Sequence, residues 1–417
     1  MTFYYTLVYV VSFLGIFLTV FYAMSLFLDY RTPKKLSSKL YSLTIIIPAY
    51  NEEASIAATI ESALNIDYPR EKLEIIVVND GSKDKTYEIA KKFESKQHPY
   101  VRVLTKPNGG KGSALNLGIS KAKGEIVITM DADTFVNPDA VKEMMKHFYN
   151  DRVMAVTPAM MVYKPNKIWQ RVQQIEYNLG VFLRKAFSTI NAVHVTPGAF
   201  SAYRKVFFER YGGYDEHNIT EDLEIALRIQ SHHYIIENAP KAVVYTIAPS
   251  KFRELMIQRK RWYSGMIKNL MKYYSLFGTR YGILGILVLP LAILTVFSTI
   301  FLTGYTLSRS VDSLKEDLVS LNAVNFDFNN FYEFSKFAVQ HHAYSILSQP
   351  VFVIFLVFVV FLTSIMIFSK YKTKFKDPFG YSLLLFIFTF SVLFSFWWIL
   401  SLIYVLFNRE IIWRGKK

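Results

Sequence analysis

Cysteine is absent from all 417 residues. That excludes disulfide staples, thiolate metal sites and cysteine nucleophiles, and it leaves the compartment open. Acid is the scarcer charge: 33 Asp and Glu stand against 48 Lys and Arg, a formal net charge of +15. Such an excess suits nucleic acid, anionic lipid or phosphorylated small molecules, and its distribution has to decide among them. Internal repeats and low-complexity tracts are also lacking. Apolar side chains are abundant, 52% of the chain with 16% aromatic, and the mean hydropathy of +0.21 is unusual for a soluble enzyme.

Uncharged stretches cover residues 1–28, 281–308, 343–369 and 379–408. Each meets or exceeds the ~20 apolar residues that span a bilayer core, so four transmembrane helices are expected. The first lacks a basic n-region and a clear small-residue cleavage site, which favours an uncleaved anchor over a signal peptide. Arg31, Lys34, Lys35 and Lys39 after the first span, and Lys370, Lys372, Lys374 and Lys376 between the last two, place the intervening large domain in the cytoplasm of a multi-pass plasma-membrane protein. The basic tail, Arg409, Arg414, Lys416 and Lys417, conflicts with the outside position that four spans give it. Residues 309–342 are expected to form an extracytoplasmic loop.

Residues 42–250 read as one α/β domain with a mostly parallel sheet. Short β-branched runs at 43–47, 73–78, 101–105, 125–130 and 153–157 alternate with amphipathic stretches. Helices are expected over about 168–190 and 221–230, with strand and loop over 193–203. The strands deliver polar or glycine-rich loops at their carboxyl ends, where ligands of open α/β sheets bind. From 251 to 280 eight basic residues accompany one acidic residue, and Met266, Leu270 and Tyr274 recur at i+4. That pattern, just before a span, predicts a helix lying on the membrane surface rather than an ordinary amphipathic helix packed on the domain.

Asp131-Ala132-Asp133 sets two carboxylates at a strand end, where both can face a hard cation, Mg²⁺ or Mn²⁺, with diphosphate oxygens; alone it also fits a solvated turn. Asp80 follows a buried-looking strand on the same sheet edge, as a turn residue or a nucleotide contact. Lys111, between two glycines, offers a point charge to a phosphate or a base edge, or is a solvent-facing loop lysine. In Thr220-Glu221-Asp222 the acids either favour a helix N-terminus or hold a carboxylate beside a reacting hydroxyl. In Gln258-Arg259-Lys260-Arg261-Trp262 the residues Gln258, Arg261 and Trp262 share a helix face. Arg can clamp a diphosphate and Trp can stack on a sugar, while a basic membrane-interface helix with an anchoring Trp is the competing reading.

Asp80, Asp131-x-Asp133, Thr220-Glu221-Asp222 and Gln258-x-x-Arg261-Trp262, in that order, resemble the family-2 glycosyltransferases, in particular the membrane-embedded synthases of cellulose, chitin, hyaluronan and poly-N-acetylglucosamine. Pro48-Ala49-Tyr50-Asn51-Glu52 and Asn108-Gly109-Gly110-Lys111 look like that family's nucleotide-binding loops. The resemblance implies a GT-A nucleotide-sugar-binding domain inserted between transmembrane helices. By it Pro48, Tyr50, Glu52, Asp80, Lys111, Asp131 and Arg261 bind the donor, and Asp131 and Asp133 the metal. Asp222 is the general base, and Gly198, Ser201, Glu221, Gln258 and Trp262 face the acceptor. Thr196-Pro197-Gly198 replaces the Cys-Gly-Ser form of cellulose synthases, which argues against cellulose. The implied activity is processive, inverting synthesis and export of a β-glycan from a UDP-sugar, N-acetylglucosamine being the leading guess. The alternatives are transfer of a single sugar to a lipid-linked acceptor, or a non-catalytic export component, against which three intact acids argue. A nucleic-acid partner is not expected, because the basic residues gather near the spans and no nucleic-acid motif is present.

Overall fold

The computed structural model describes residues 2–31, 36–323, 336, 350–373, 380–407 and 409. The described helices of six residues or more are α1 (Thr2–Arg31), α2 (Ile56–Leu64), α3 (Thr86–Lys91), α4 (Lys111–Lys121), α5 (Ala140–Met145), α6 (Ile168–Thr189), α7 (Lys205–Tyr211), α8 (Glu221–Ser231), α9 (Phe252–Lys272), α10 (Leu289–Ala323), α11 (Pro350–Thr373), α12 (Gly380–Leu385) and α13 (Ser391–Leu406). The strands are β1 (Leu43–Ala49), β2 (Leu73–Asn79), β3 (Val101–Thr105), β4 (Ile126–Met130), β5 (Thr134–Val136), β6 (Val153–Val162), β7 (Phe200–Arg204) and β8 (Ile235–Thr246).

β1 and β2 are nearly continuous runs of Ile, Val and Leu, the composition of strands covered on both faces. Ile45, Ile47, Ile75 and Val77 enter one apolar cluster with Ile56 and Ile60 of α2 and Met144 of α5. Ile46, Ile76 and Val78 enter another with Leu115 of α4, Phe207 of α7 and Ile229 of α8. The result is a helix–sheet–helix sandwich, each fully buried Ile or Phe contributing about 1.5–3 kcal/mol.

The sheet has eight strands in the order β3-β2-β1-β4-β7-β6-β8-β5. The four strands β3, β2, β1 and β4 are parallel; β7 then runs antiparallel to both β4 and β6, β8 pairs parallel with β6, and β5 antiparallel with β8. The sheet is mixed and, as expected, mostly parallel, with four of these seven pairings parallel. β5 and β8 are additions to the sequence reading, and β6 runs on to Val162. β8 escapes a search for alternation because Glu237, Pro240 and Lys241 interrupt it, and its pairing with β6 shifts register between Pro158 and Ala159. Ala49 pairs with Asn79 and Asn79 with Thr105, so β1, β2 and β3 end level and their following loops share one edge.

α6 is the seam between this sandwich and the apolar helices. Its Val181 packs on Ala159, Met161 and Val243 of the sheet. Its Phe182 meets Phe368 of α11 edge-on at 5.9 Å, and Phe187 meets Tyr22 of α1 at 5.3 Å. Lys185 pairs with Asp29 at 2.8 Å, and the Thr189 hydroxyl donates to Ser25 Oγ at 3.0 Å.

Among the described residues two helices are long and apolar enough to cross a membrane, Thr6–Asp29 and Leu284–Ala323; Val359–Tyr371 and Leu393–Leu406 are shorter apolar helices. The loop expected over 309–342 is corrected at its start: α10 continues helically to Ala323, a stretch whose Ser, Leu, Lys and Glu residues suit a helix as well as a loop. Residues 324–335 and 337–349 lie outside the described ones, as do Lys34, Lys35, Lys374, Lys376, residues 378 and 379, Asn408 and the tail with Arg414, Lys416 and Lys417.

α9 differs from the surface helix expected over 251–280. Met266 and Leu270 pack against Leu223 and Leu227 of α8 and against Leu276 and Leu284. On another side Leu255 and Tyr263 pack with Trp397 of α13. Tyr274 lies beyond the helix end and is 75% exposed. Protein thus covers Met266 and Leu270 of the stripe, as the competing reading of a helix packed on the domain has it.

Candidate active site

The Asp80 carboxylate, at the end of β2, is buried and gathers three donors. Oδ1 accepts from Lys106 Nζ at 3.0 Å and from the Gly109 N–H at 2.9 Å, and Oδ2 accepts from the Gly110 N–H at 2.7 Å. Gly110 adopts φ +94°, a backbone that side chains disfavour, and so turns its N–H to Asp80 while opening α4 at Lys111. Asp80 therefore organises the loop that delivers Lys111. The preceding edge loop is tied to residues 82–86: the Glu52 N–H donates to Thr86 Oγ1 at 2.7 Å and the Glu53 N–H to Asp84 Oδ2 at 3.1 Å. Glu52 Oε2 accepts from Ser55 Oγ at 2.8 Å, and Pro48 and Tyr50 lie half-buried on the same edge.

Lys111 stands at the centre of the site. Its Nζ lies 2.6 Å from Asp131 Oδ1, 3.1 Å from Glu221 Oε1 and 3.2 Å from the Gly198 carbonyl oxygen, to which it donates. Burial works against its charge, but Asp131, Glu221 and Asp222 outweigh that and hold the ammonium above its ordinary value. One lysine thus joins β4, the loop before β7 and the start of α8.

Asp222 and Glu221 occupy the first turn of α8, where the helix dipole favours carboxylates. Burial and the neighbouring Glu221 push Asp222 up to about 6, opposed by Lys111 and Arg261. Glu221 is held below its usual range: burial opposes this, and Lys111 and Arg261 prevail. Asp222 Oδ2 accepts from the Gly198 N–H at 3.0 Å, Oδ1 from the Leu223 N–H at 2.9 Å, and its backbone carbonyl from Thr196 Oγ1 at 2.7 Å. Tyr203 donates to Thr196 Oγ1 at 2.9 Å, so the core of the sheet braces this loop. Ser201 is fully buried with its hydroxyl on the Pro197 carbonyl at 2.9 Å, which places it behind the loop rather than facing an acceptor.

α9 closes the site. Arg261 lies close enough to Glu221 and Asp222 to stabilise both charges. Gln258 Oε1 is buried with no hydrogen-bond partner among the described residues, and Trp262 carries the Arg259 guanidinium 4.3 Å above its ring. The helix is fixed to the start of α8 by Asn269, whose Nδ2 donates to Thr220 Oγ1 at 2.9 Å and to Asn218 Oδ1 at 3.2 Å. Gly265 lets the two elements touch, since a Cβ there would stand 2.2 Å from Thr220 Oγ1.

Burial and the adjacent Asp131 push Asp133 up to about 7, with Lys111 opposing. Asp131 and Asp133 are half-buried, Lys111 already pairs with Asp131, and the two carboxylates offer the hard oxygen donors that Mg²⁺ or Mn²⁺ prefers. Among the described residues no group of three or more His, Cys, Asp or Glu side chains is placed to hold a metal. A cation bound by Asp131 and Asp133 therefore needs further ligands from a diphosphate and water.

The sequence motifs Asp80, Lys111, Asp131, Asp133, Gly198, Glu221, Asp222 and Arg261 come together at this edge. Tyr203, Gly265 and Asn269, which support them, carry no motif of their own in the sequence. Asn269 was within reach of sequence reasoning, being eleven residues after Gln258 on the same helical stripe.

A family model described as Glycosyl transferase family 2 matches residues 44–212. The chain is similar to the poly-β-1,6-N-acetyl-D-glucosamine synthase of Staphylococcus epidermidis, 32% identical over 225 residues, 54% of each chain. It is 31% identical over 245 residues to the synthase of the same name from Staphylococcus aureus strain COL, covering 58% of this chain and 59% of that one. The chain thus spans about half the length of the curated relatives it matches. Among solved structures a mannosyltransferase from Pyrobaculum calidifontis, in complex with GDP-Man and Mn²⁺, shares the fold at a TM-score of 0.57 and 19% identity, over 96% of this chain and 99% of that chain.

Proposed function

We propose that this chain is a membrane-embedded, inverting glycosyltransferase that polymerises a β-linked glycan from a UDP-sugar on the cytoplasmic side of the plasma membrane, with UDP-N-acetylglucosamine as donor. The observation that carries the reading is the Lys111 bridge, which joins Asp131 and Glu221 in one ion-paired cluster next to Gly198 and Asp222. The choice of sugar rests on the relatives' names.

Asp222, with its proton affinity raised into the working range, takes the proton from an acceptor hydroxyl held by the Gly198 loop. That oxygen attacks the anomeric carbon as the bond to the nucleoside diphosphate breaks, so an α-linked donor gives a β-linked product in one displacement. Lys111 and Arg261 face the charge that develops on the leaving diphosphate. Asp131 and Asp133 would hold the divalent cation, which supplies further neutralisation of the diphosphate when bound. Gln258 and Trp262 orient the acceptor, and α1, α10, α11 and α13 supply the membrane part through which product leaves.

The test is to incubate the purified full chain with a panel of labelled nucleotide sugars, Mg²⁺ or Mn²⁺ and lipid extract, and to size the products. Long polymer from UDP-N-acetylglucosamine is the expected result. A single sugar on lipid replaces polymerisation with lipid-linked transfer, and no turnover of any donor sinks the whole reading.

A further inference from the structure

Among the described residues Arg259 is the largest fully buried charged side chain. It is 0% exposed, lies in α9 between Gln258 and Lys260, and pairs through Nη2 with Glu176 Oε2 of α6 at 2.5 Å. Its Nε and Nη1 make no hydrogen bond among the described residues. Burying a guanidinium with so few of its donors used is costly, and an apolar side chain of similar size would fill the space more stably. What the guanidinium does meet is indole. Cζ lies 4.3 Å from the centroid of the Trp262 ring, one turn on in α9, and 5.8 Å from that of Trp397 in α13. Trp397 is itself fully buried, and next to it Trp398 stacks on Tyr263 at 4.6 Å with 23° between the rings.

An indole has two faces. Arg259 takes one, so a sugar ring is left the other. We propose that Arg259 is a positioning residue for transfer: held by Glu176 and backed by Trp397, its guanidinium fixes the plane of the Trp262 indole so that the opposite face meets the acceptor saccharide. Cation–π attraction and the ion pair together remove the rotational freedom that a lone surface Trp would lose on binding. The same contacts make the apolar helix α13 part of the acceptor site, because Trp397 prevents the guanidinium from swinging away from Trp262. The inference rests on the glycosyltransferase reading and adds to it the origin of acceptor affinity.

The test uses the full chain in lipid vesicles, the donor that the wild type turns over, and an oligosaccharide of the same sugar as added acceptor. Arg259→Met is expected to raise the acceptor KM about tenfold, the scale of a desolvated cation–π contact, and to leave the donor KM within about twofold. Glu176→Gln is expected to shift the acceptor KM in the same direction by less, and Arg259→Lys, which keeps the ion pair and loses the flat stack, to fall between. These two milder variants serve if Arg259→Met does not fold. Trp262→Ala placed on Arg259→Met is expected to add little, because both remove one interaction. Donor and acceptor KM rising in parallel, unchanged acceptor KM in all three variants, or additive Trp262 and Arg259 effects each overturn the proposal while the active wild type keeps the functional reading. A wild type inactive with every donor overturns both.

Discussion

The Gly198 N–H donates to Asp222 Oδ2 at 3.0 Å, and a Cβ at position 198 would stand 2.6 Å from the same oxygen. Only a residue without a side chain permits this contact. Gly198→Ala is therefore expected to push the Asp222 carboxylate aside and to lower kcat about 10²-fold while donor affinity holds. Steady-state kinetics beside donor-binding calorimetry separates the two, and an Ala variant at full speed refutes the base assignment.

Asp222 titrates near 6 through burial and the neighbouring Glu221. A base must be deprotonated to act, so kcat is expected to rise with pH through about 6 and to level off above it. Asp222→Asn is expected to keep donor binding, lose about 10²–10⁴-fold in transfer and show no such limb. Stability follows the opposite sign. A carboxyl raised above its unfolded value is stabilising only while protonated, so its contribution falls as pH rises through 6. The Asn variant should therefore melt at or above the wild-type temperature at pH 8, which a thermal scan at pH 5 and pH 8 checks.

Gly265 faces Thr220 Oγ1, where an added Cβ would stand at 2.2 Å. Gly→Ala inside a helix ordinarily stabilises by ~1 kcal/mol through backbone entropy. Here the clash is expected to reverse the sign, with Gly265→Ala costing about 1–3 kcal/mol and slowing transfer, because the start of α8 shifts with it. Asn269→Leu should lower the melting temperature as well, since it removes the amide that donates to the buried Thr220 hydroxyl and to Asn218 Oδ1. A Gly265→Ala chain more stable than wild type would show that α9 and α8 are not in register as described.

In the proposed cation site Asp131 and Asp133 would supply two hard oxygen ligands, with a diphosphate and water completing it. Chelation is expected to abolish transfer, with Mn²⁺ or Mg²⁺ restoring it, and Asp133→Asn to raise the metal concentration for half-activity by about tenfold or more. Undiminished turnover in excess chelator contradicts this.

The parallel half of the sheet was legible because β1 and β2 are near-continuous runs of Ile, Val and Leu ended by Asn79-Asp80 and Tyr50-Asn51, a local signal that needs no partner to be recognised. β8 was not, because Pro240, Lys241 and Glu237 break the pattern and only pairing with β6 makes the segment a strand. Asp80, Lys111, Asp131 and Asp222 stood out by residue type and position at strand or helix ends, each with a bland alternative, and their order along the chain carried the resemblance that gave them roles. Arg259 was not, because a basic residue in a basic helix reads as solvated until Glu176, eighty-three residues earlier, is seen against it.

The sequence by itself determined which chemistry was on offer: carboxylates, one lysine and an arginine–tryptophan pair at the ends of elements whose apolar runs could form only locally. The tertiary structure decided who meets whom. It took Lys111 from loop cation to bridge between Asp131 and Glu221, turned Ser201 inward, and packed Met266 and Leu270 of α9 on α8. The physical reason is that ion pairing, burial and close backbone approach act over a few ångströms in space between residues far apart in the chain, and no local pattern carries that distance.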